Sequence, residues 1–258
     1  EVSKHIGQAV LTYKPIGSAF TFDAGKMYTH IGLETAKSKD NFNYSRTILF
    51  SYGMPFWHTG IHVAYDAIPD KLQTSVYIYN GWNSLYDNNE SKTLGAQLKF
   101  TPTSSLTMIY NFLGGPERAN SESDWKTLHE LNTTWNASEK WTLATDLLTG
   151  SEENASIGIQ RKRAMWYGGL LLAKYQITEK SYISPRYEVY RDQDAYTLSA
   201  TAQTIQTATL TYGKFLTKGL ELRSELRYDK SNQNTFVASS GNTKNSQTTL
   251  LAALLCNF

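Results

Sequence analysis

Cysteine is almost absent from this chain of 258 residues: Cys256 stands alone and cannot close an internal disulfide. Its slot in an apolar terminal run predicts packing, buried or against lipid, and no catalysis. Long apolar runs are missing too. No stretch of about 18 consecutive apolar residues occurs, which excludes transmembrane helices; a mean hydropathy of −0.43 fits that exclusion. Charge of one sign is equally scarce. The net charge is +2 and the tightest basic run is Arg161, Lys162 and Arg163, which reads as loop charge; nucleic acid is excluded as a partner. His5, His30, His58, His62 and His129 form no pair at metal-ligand spacing with Cys or carboxylate partners, so neither a metal nor a cofactor is predicted. Gly114, Gly115 and Pro116 lack the Lys and Ser of a phosphate-binding loop and read as a turn. Asn-x-Ser/Thr triplets at Asn43, Asn89, Asn132, Asn136 and Asn154 are chance in an Asn- and Ser-rich chain. No export signal precedes Glu1, so the chain reads as processed or trimmed.

What is present is a succession of strand-like runs whose connections alternate between short and long. Tight connections fall at Pro15 to Ser18, Pro69 to Lys71, Pro102 to Ser104, Ala137 to Glu139, Thr178 to Lys180 and Thr217 to Gly219. Polar excursions lie between them, at Asn83 to Ser91, Gly114 to Asp124, Gly150 to Arg161, Arg191 to Gln203 and Asp229 to Ser246. Outer-membrane barrels carry short periplasmic turns and longer extracellular loops. Within the runs the period is two. Leu220, Leu222, Leu226 and Tyr228 share one face, and Glu221, Arg223, Glu225, Arg227 and Asp229 the other. One face wants lipid and the other water, and a one-residue slip would push several charges into hydrocarbon. The same alternation turns Leu94, Ala96, Leu98, Phe100, Leu106, Met108, Tyr110 and Phe112 outward, and Gln97, Lys99, Thr107 and Asn111 inward.

Period two alone also suits a soluble barrel or sandwich. The strand ends favour the membrane. Tyr13, Phe20, Phe100, Trp135, Trp141, Tyr175, Tyr182 and Phe215 sit beside tight turns, and Tyr28, Trp82, Phe112, Trp125, Tyr167 and Tyr228 near the long-loop ends, as two headgroup-level girdles require. The fold read from these patterns is all-β: a transmembrane antiparallel up-and-down β-barrel of about 14 strands, about 13 of them in this chain, forming a single domain over 1–258. Its even total requires one further strand encoded before Glu1, and Tyr44 to Gly53 cannot be a spanning strand, because one extracellular loop must join an upward strand near Ala19 to Tyr28 with a downward one near Gly60 to Asp66. The chain ends with Leu250, Ala252, Leu254, Cys256 and Phe258 at alternate positions, which resembles the terminal strand signal read by the barrel assembly machinery.

One excursion, 29–59, is longest and unusually rich in aromatics, glycine and charge. It carries Ile31, Gly32, Leu33 and Glu34, then Tyr44, Ser45 and Arg46, then Tyr52, Gly53, Pro55, Phe56, Trp57, His58, Thr59 and Gly60. With Asp23, Gly25 and Lys26 just upstream, it resembles the β-barrel porin-2 (OmpL-like) family and, more distantly, the phosphate-selective porins. The resemblance implies a bacterial outer-membrane porin whose early long loop folds into the lumen and narrows it, passing small hydrophilic solutes by passive diffusion. The loop's composition permits this: Ile48, Leu49, Phe50, Phe56 and Trp57 need an inner wall to pack against. Lys26, Lys37, Lys39 and Arg46 against Glu34 and Asp40 leave a positive excess. The lysine clusters of phosphate-selective channels are not evident.

The residues expected to line the pore and its constriction are Glu34, Arg46, His62, Asp66, Lys99, Lys174, Arg186, Glu188, Glu221, Arg223, Glu225 and Arg227. Acids and bases from opposite strands would set a transverse field that selects solutes by size and charge. No catalytic residue is expected. The rival readings are a structural or adhesive barrel with a plugged lumen, and a lipid-modifying barrel enzyme built on His129 with Glu130. Expected partners are outer-membrane lipid and lipopolysaccharide, the assembly machinery through Phe258, small solutes and a possible homo-oligomer.

Overall fold

The computed structural model describes residues 5–198, 201–239 and 241–256. Phe258, the expected signal for assembly, lies outside the described residues, as does Glu1. The chain is an up-and-down series of antiparallel strands: β1 (Ala9–Tyr13), β2 (Phe20–Tyr28), β3 (Trp57–Ile68), β4 (Leu72–Tyr79), β5 (Thr93–Thr103), β6 (Leu106–Pro116), β7 (Trp125–Asn136), β8 (Trp141–Ile157), β9 (Gln160–Thr178), β10 (Ser181–Asp192), β11 (Gln203–Thr217) and β12 (Leu220–Ser231). A two-residue pair, β13 (Phe236–Val237) with β14 (Thr243–Lys244), decorates the last long loop before β15 (Ser246–Cys256). The main sheet has 13 strands in the order β1 through β12 and then β15, with β1 and β15 at its two ends. No helix among the described residues is long and apolar enough to cross a membrane.

Alternation fixes which way each side chain points. Leu226 pairs with Leu210 and with Leu250 across the sheet, and all three are exposed, whereas Glu221, Arg223, Glu225 and Asp229 on the opposite face are buried. Exposed leucines beside buried charges are the inverse of a soluble protein and fit a wall with lipid outside. Tyr13, Phe20, Phe100, Trp135, Trp141 and Phe215 face outward beside the short turns. Replacing Leu226 by arginine should cost about 2–4 kcal/mol, the penalty of that cation on a lipid face at mid-membrane, read by urea titration of protein refolded into vesicles.

The sheet departs from the sequence pattern in five places. Gly114, Gly115 and Pro116 form no turn but the end of β6, opposite Thr127, Lys126 and Trp125 of β7. The excursion Gly150 to Arg161 is strand over most of its length: β8 and β9 run on to Ile157 and Gln160, closing through Gly158 and Ile159, because a polar hairpin above the bilayer needs no apolar alternation. The loop after β2 covers 29–56, since Trp57, His58 and Thr59 already pair in β3. Tyr182 belongs to no outer girdle; it is buried on the inner face, where its hydroxyl donates to Glu221 (2.7 Å). Trp82 leaves the girdle too, packing instead against the inner apolar cluster.

Candidate pore and its inserted loop

Residues 29–56 touch the inner face of strand after strand. His30 stacks on Tyr77 of β4 at 4.0 Å and its carbonyl accepts from Gln97 of β5. The Leu33 amide donates to Asp146 of β8 (3.0 Å), and Arg227 of β12 donates to the carbonyl of Arg46 (2.5 Å). A single loop can reach β4 and β12 together only if the sheet curves around it.

Polar anchoring comes from the alternating charges of β10 to β12. Glu188 accepts the amides of Ile48 (2.9 Å) and Leu49 (2.5 Å) at the start of the short helix α1 (Ile48–Gly53), whose N-cap Thr47 accepts from Phe50. A carboxylate there satisfies amides that the first turn leaves without partners. Glu34 accepts the Thr47 amide (2.9 Å) and hydroxyl (2.8 Å) and pairs with Arg186, both buried. Arg186 also donates to the Ser45 carbonyl (2.7 Å). Glu225 holds the amide of Tyr44 (2.8 Å), and Arg223 donates to the carbonyl of Ser38 (2.9 Å) while pairing with Glu221. Carboxylates bind the loop's N–H groups and guanidinium groups its carbonyls, so the backbone is held whatever most of its side chains are.

The apolar part of the loop seats separately. Ile31, Leu49, Phe50 and Met54 join Leu113, Leu128, Leu148, Trp166 and Tyr190 in one buried cluster, and the Trp166 indole donates to the Gly53 carbonyl (2.9 Å). Above it Lys126 lies over Trp82 at 4.3 Å and Tyr196 at 5.2 Å and pairs with Glu152 (3.2 Å). Glu117, in the loop after β6, accepts the Trp82 amide (2.7 Å), and burial pushes its carboxyl up from the ordinary value.

Nine of the twelve residues picked from sequence as pore-lining thus fall into two groups. Glu34, Arg186, Glu188, Glu221, Arg223 and Glu225 are covered by the loop. His62, Asp66 and Lys99 lie on the inner side of β3 to β5: His62 bonds Asp23 (2.8 Å), Asp66 accepts from Gln73 (2.7 Å), and Asp66, Gln73 and Lys99 border a cavity of ≈ 380 Å³. Lys174 lies over the rings of Phe42 and Tyr182. Arg227, partly covered, bonds Asp229 (2.8 Å). The Arg46 guanidinium turns back on its own loop, to the carbonyls of Tyr44 (2.9 Å) and Ala36 (3.0 Å); the wall charges that act on it are the like charges of Arg186 and Arg223, and it forms no salt bridge with the wall among the described residues. Lys26 leaves the loop's positive set: alternation with the buried Met27 turns it outward over Trp57 at 4.1 Å. Sequence reasoning missed Asp146 and Thr47, for which the local pattern gives no signal. Asp146 falls in a mixed apolar run, and Thr47 is recognisable as a cap only once α1 is known.

An inner face that grips one inserted loop, inside an up-and-down sheet with a lipid-type exterior, is channel architecture. The chain matches the family described as "Putative beta-barrel porin-2, OmpL-like" over residues 1–258. It belongs to that family. This outer-membrane porin is a channel for passive diffusion, and it resides in the bacterial outer membrane. In fold it is similar to a loop-deletion mutant of the outer-membrane protein OmpT of Vibrio cholerae, with a TM-score of 0.65 and 11% identity, covering 95% of this chain and 78% of that one. It is also similar to the outer-membrane channel DcaP of Acinetobacter baumannii, with a TM-score of 0.62 and 14% identity, covering 91% and 72% of the two chains. No curated protein matches it in sequence.

Proposed function

We propose that small hydrophilic solutes pass beside the inserted loop, between it and the inner faces of β1, β2 and β15, and that the path weakly prefers anions. Burial of the inward side chains supports the off-centre path: Asp23 of β2 is half-buried, while the inner faces of β8 to β12 are largely covered. The observation that carries the preference is charge bookkeeping in the loop. The acids of β10 to β12 are occupied by loop amides and by arginines, whereas Lys37 and Arg46 form no salt bridge among the described residues, and Glu34, the carboxylate acting on Arg46, is already paired with Arg186. Purified protein in a planar bilayer under a salt gradient should give a reversal potential of anion-preferring sign. Strong cation selectivity overturns the reading. The preference should fade toward 1 M salt, where screening acts within about 3 Å.

Phosphate specificity forms no part of this reading, since Arg186, Arg223 and Arg227 spend their donors on carboxylates and loop carbonyls. Nor does catalysis: His129 and Glu130 are neighbours on β7 pointing to opposite faces, His129 to Tyr110 outside (2.8 Å) and Glu130 to Asn132 inside (2.7 Å). The apolar cluster around α1 favours one alternative, a structural barrel with a plugged lumen. The same bilayer experiment separates the two, because a plugged barrel gives no conductance steps.

A further inference from the structure

We infer that the outward faces of β9, β10 and β12 form, at their extracellular ends, a docking surface for the phosphate groups of lipid A, the phosphorylated anchor of lipopolysaccharide in the outer leaflet. The basic run Arg161, Lys162, Arg163 is part of β9, and strand alternation divides it. Lys162 turns to the inner side, opposite Ala155, and pairs with Asp194 (2.8 Å). Arg161 and Arg163 share the outer face with Met165 and Tyr167, both exposed.

The register sets further cations on that face. Arg191 of β10 stands opposite Tyr167 of β9 and Thr204 of β11, and Lys230 of β12 pairs with Gln206 of β11. Each lies beyond an outward tyrosine in the extracellular direction: Arg191 after Tyr187, Lys230 after Tyr228, and Arg163 above Tyr167 in the descending β9. Tyr187 and Tyr228 both face Ala208 and so stand level. Counted from there Lys230 is one same-face step up, Arg191 two, Arg163 four and Arg161 five, and at about 7 Å per step the cations climb as a ladder from the tyrosine girdle, where outer-leaflet headgroups begin.

All four cations are exposed. Among the described residues no carboxylate pairs with any of them; Arg163 reaches only the Ser151 hydroxyl (3.3 Å) and Arg191 only that of Thr204 (3.2 Å). The outward acid near the β8 bulge, Glu153, is occupied by the Trp125 amide (3.3 Å). Four cations without counter-ions, rising outward from headgroup depth and facing away from the pore, complement a headgroup bearing phosphomonoesters. Arginine forks suit that group in particular.

The test uses the full chain in nanodiscs of neutral phospholipid titrated with bisphosphorylated lipid A, binding being read by native mass spectrometry. The parent should retain lipid A, and the variant Arg161→Gln/Arg163→Gln/Arg191→Gln/Lys230→Gln should retain about tenfold less. Arginine-to-lysine replacements should keep most of the binding, and so should Lys140→Gln/Lys180→Gln/Lys218→Gln at the periplasmic turns. If the fourfold variant does not fold, the pairs Arg161→Gln/Arg163→Gln and Arg191→Gln/Lys230→Gln replace it, each with a partial loss expected. Equal retention by parent and variants overturns the proposal. So does equal retention of dephosphorylated lipid A, displacement by an equal amount of phosphatidylglycerol, or displacement by millimolar inorganic phosphate.

Discussion

Replacing Arg186 by alanine should open the channel and destabilise the protein together. The guanidinium sits between Glu34 and the Ser45 carbonyl with almost no exposure, so its removal leaves Glu34 buried without its cation. Breaking one side of a buried pair costs about 3–5 kcal/mol. Most of that cost falls on the loop, because the wall keeps its own hydrogen-bond ladder from β9 through β11. Relief comes by letting residues 34–47 move out into water, where Glu34 is solvated. Single-channel recordings should then show larger and noisier conductance steps than the parent, and urea titration a lowered midpoint. Methionine in place of the arginine, combined with Glu34→Leu, should recover much of the stability, since an apolar replacement of a buried pair is often neutral. Unchanged conductance in a folded Arg186→Ala barrel would mean that the loop does not set the pore width.

The wall was legible in the sequence because a membrane barrel writes its geometry into single residues. Leu220 to Asp229 could be assigned to faces by period two, since any slip puts arginine in lipid. Tight turns could be told from long loops because the two ends of the barrel face different compartments. The inserted loop was legible as apolar content without a home, in Ile48, Leu49 and Phe50. What could not be read was how the two meet. The bond between Arg186 and Glu34 joins residues separated by 152 positions, and nothing local distinguishes a lumen arginine that lines water from one that clamps a carbonyl. Aromatics failed for a related reason: Tyr182 and Trp82 stand at strand ends just as Trp135 does, yet strand parity at Tyr182 and loop packing at Trp82 send them inward. Lys26, counted with the loop's cations, is sent outward by the parity of β2.

Charge reversal in the loop should invert the selectivity. Lys37→Glu with Arg46→Glu changes two positive charges to two negative ones, and the side-chain hydrogen bonds of Arg46 stay within the loop, none reaching the wall. Arg227 grips the backbone carbonyl of Arg46, which survives any substitution there, and Glu188, Glu225 and Arg186 hold neighbouring amides and carbonyls. The side chain of Arg46 does lose two bonds to loop carbonyls, each a contribution of about 1.5–3 kcal/mol where a charged donor is involved, so a control with Arg46→Gln and Lys37→Gln separates lost charge from lost bonding. The neutral pair should bring the reversal potential close to zero, and the acidic pair should carry it to the cation-preferring side. At 0.1 M salt, where charges interact over about 10 Å, the three proteins should be well separated; near 1 M, where the range falls to about 3 Å, they should converge. Should the acidic variant keep the parental sign at low salt while folding normally, the permeating ions do not pass the open side of the loop, and the path must be sought along β3 to β5, where Asp66 and Lys99 border the inner cavity.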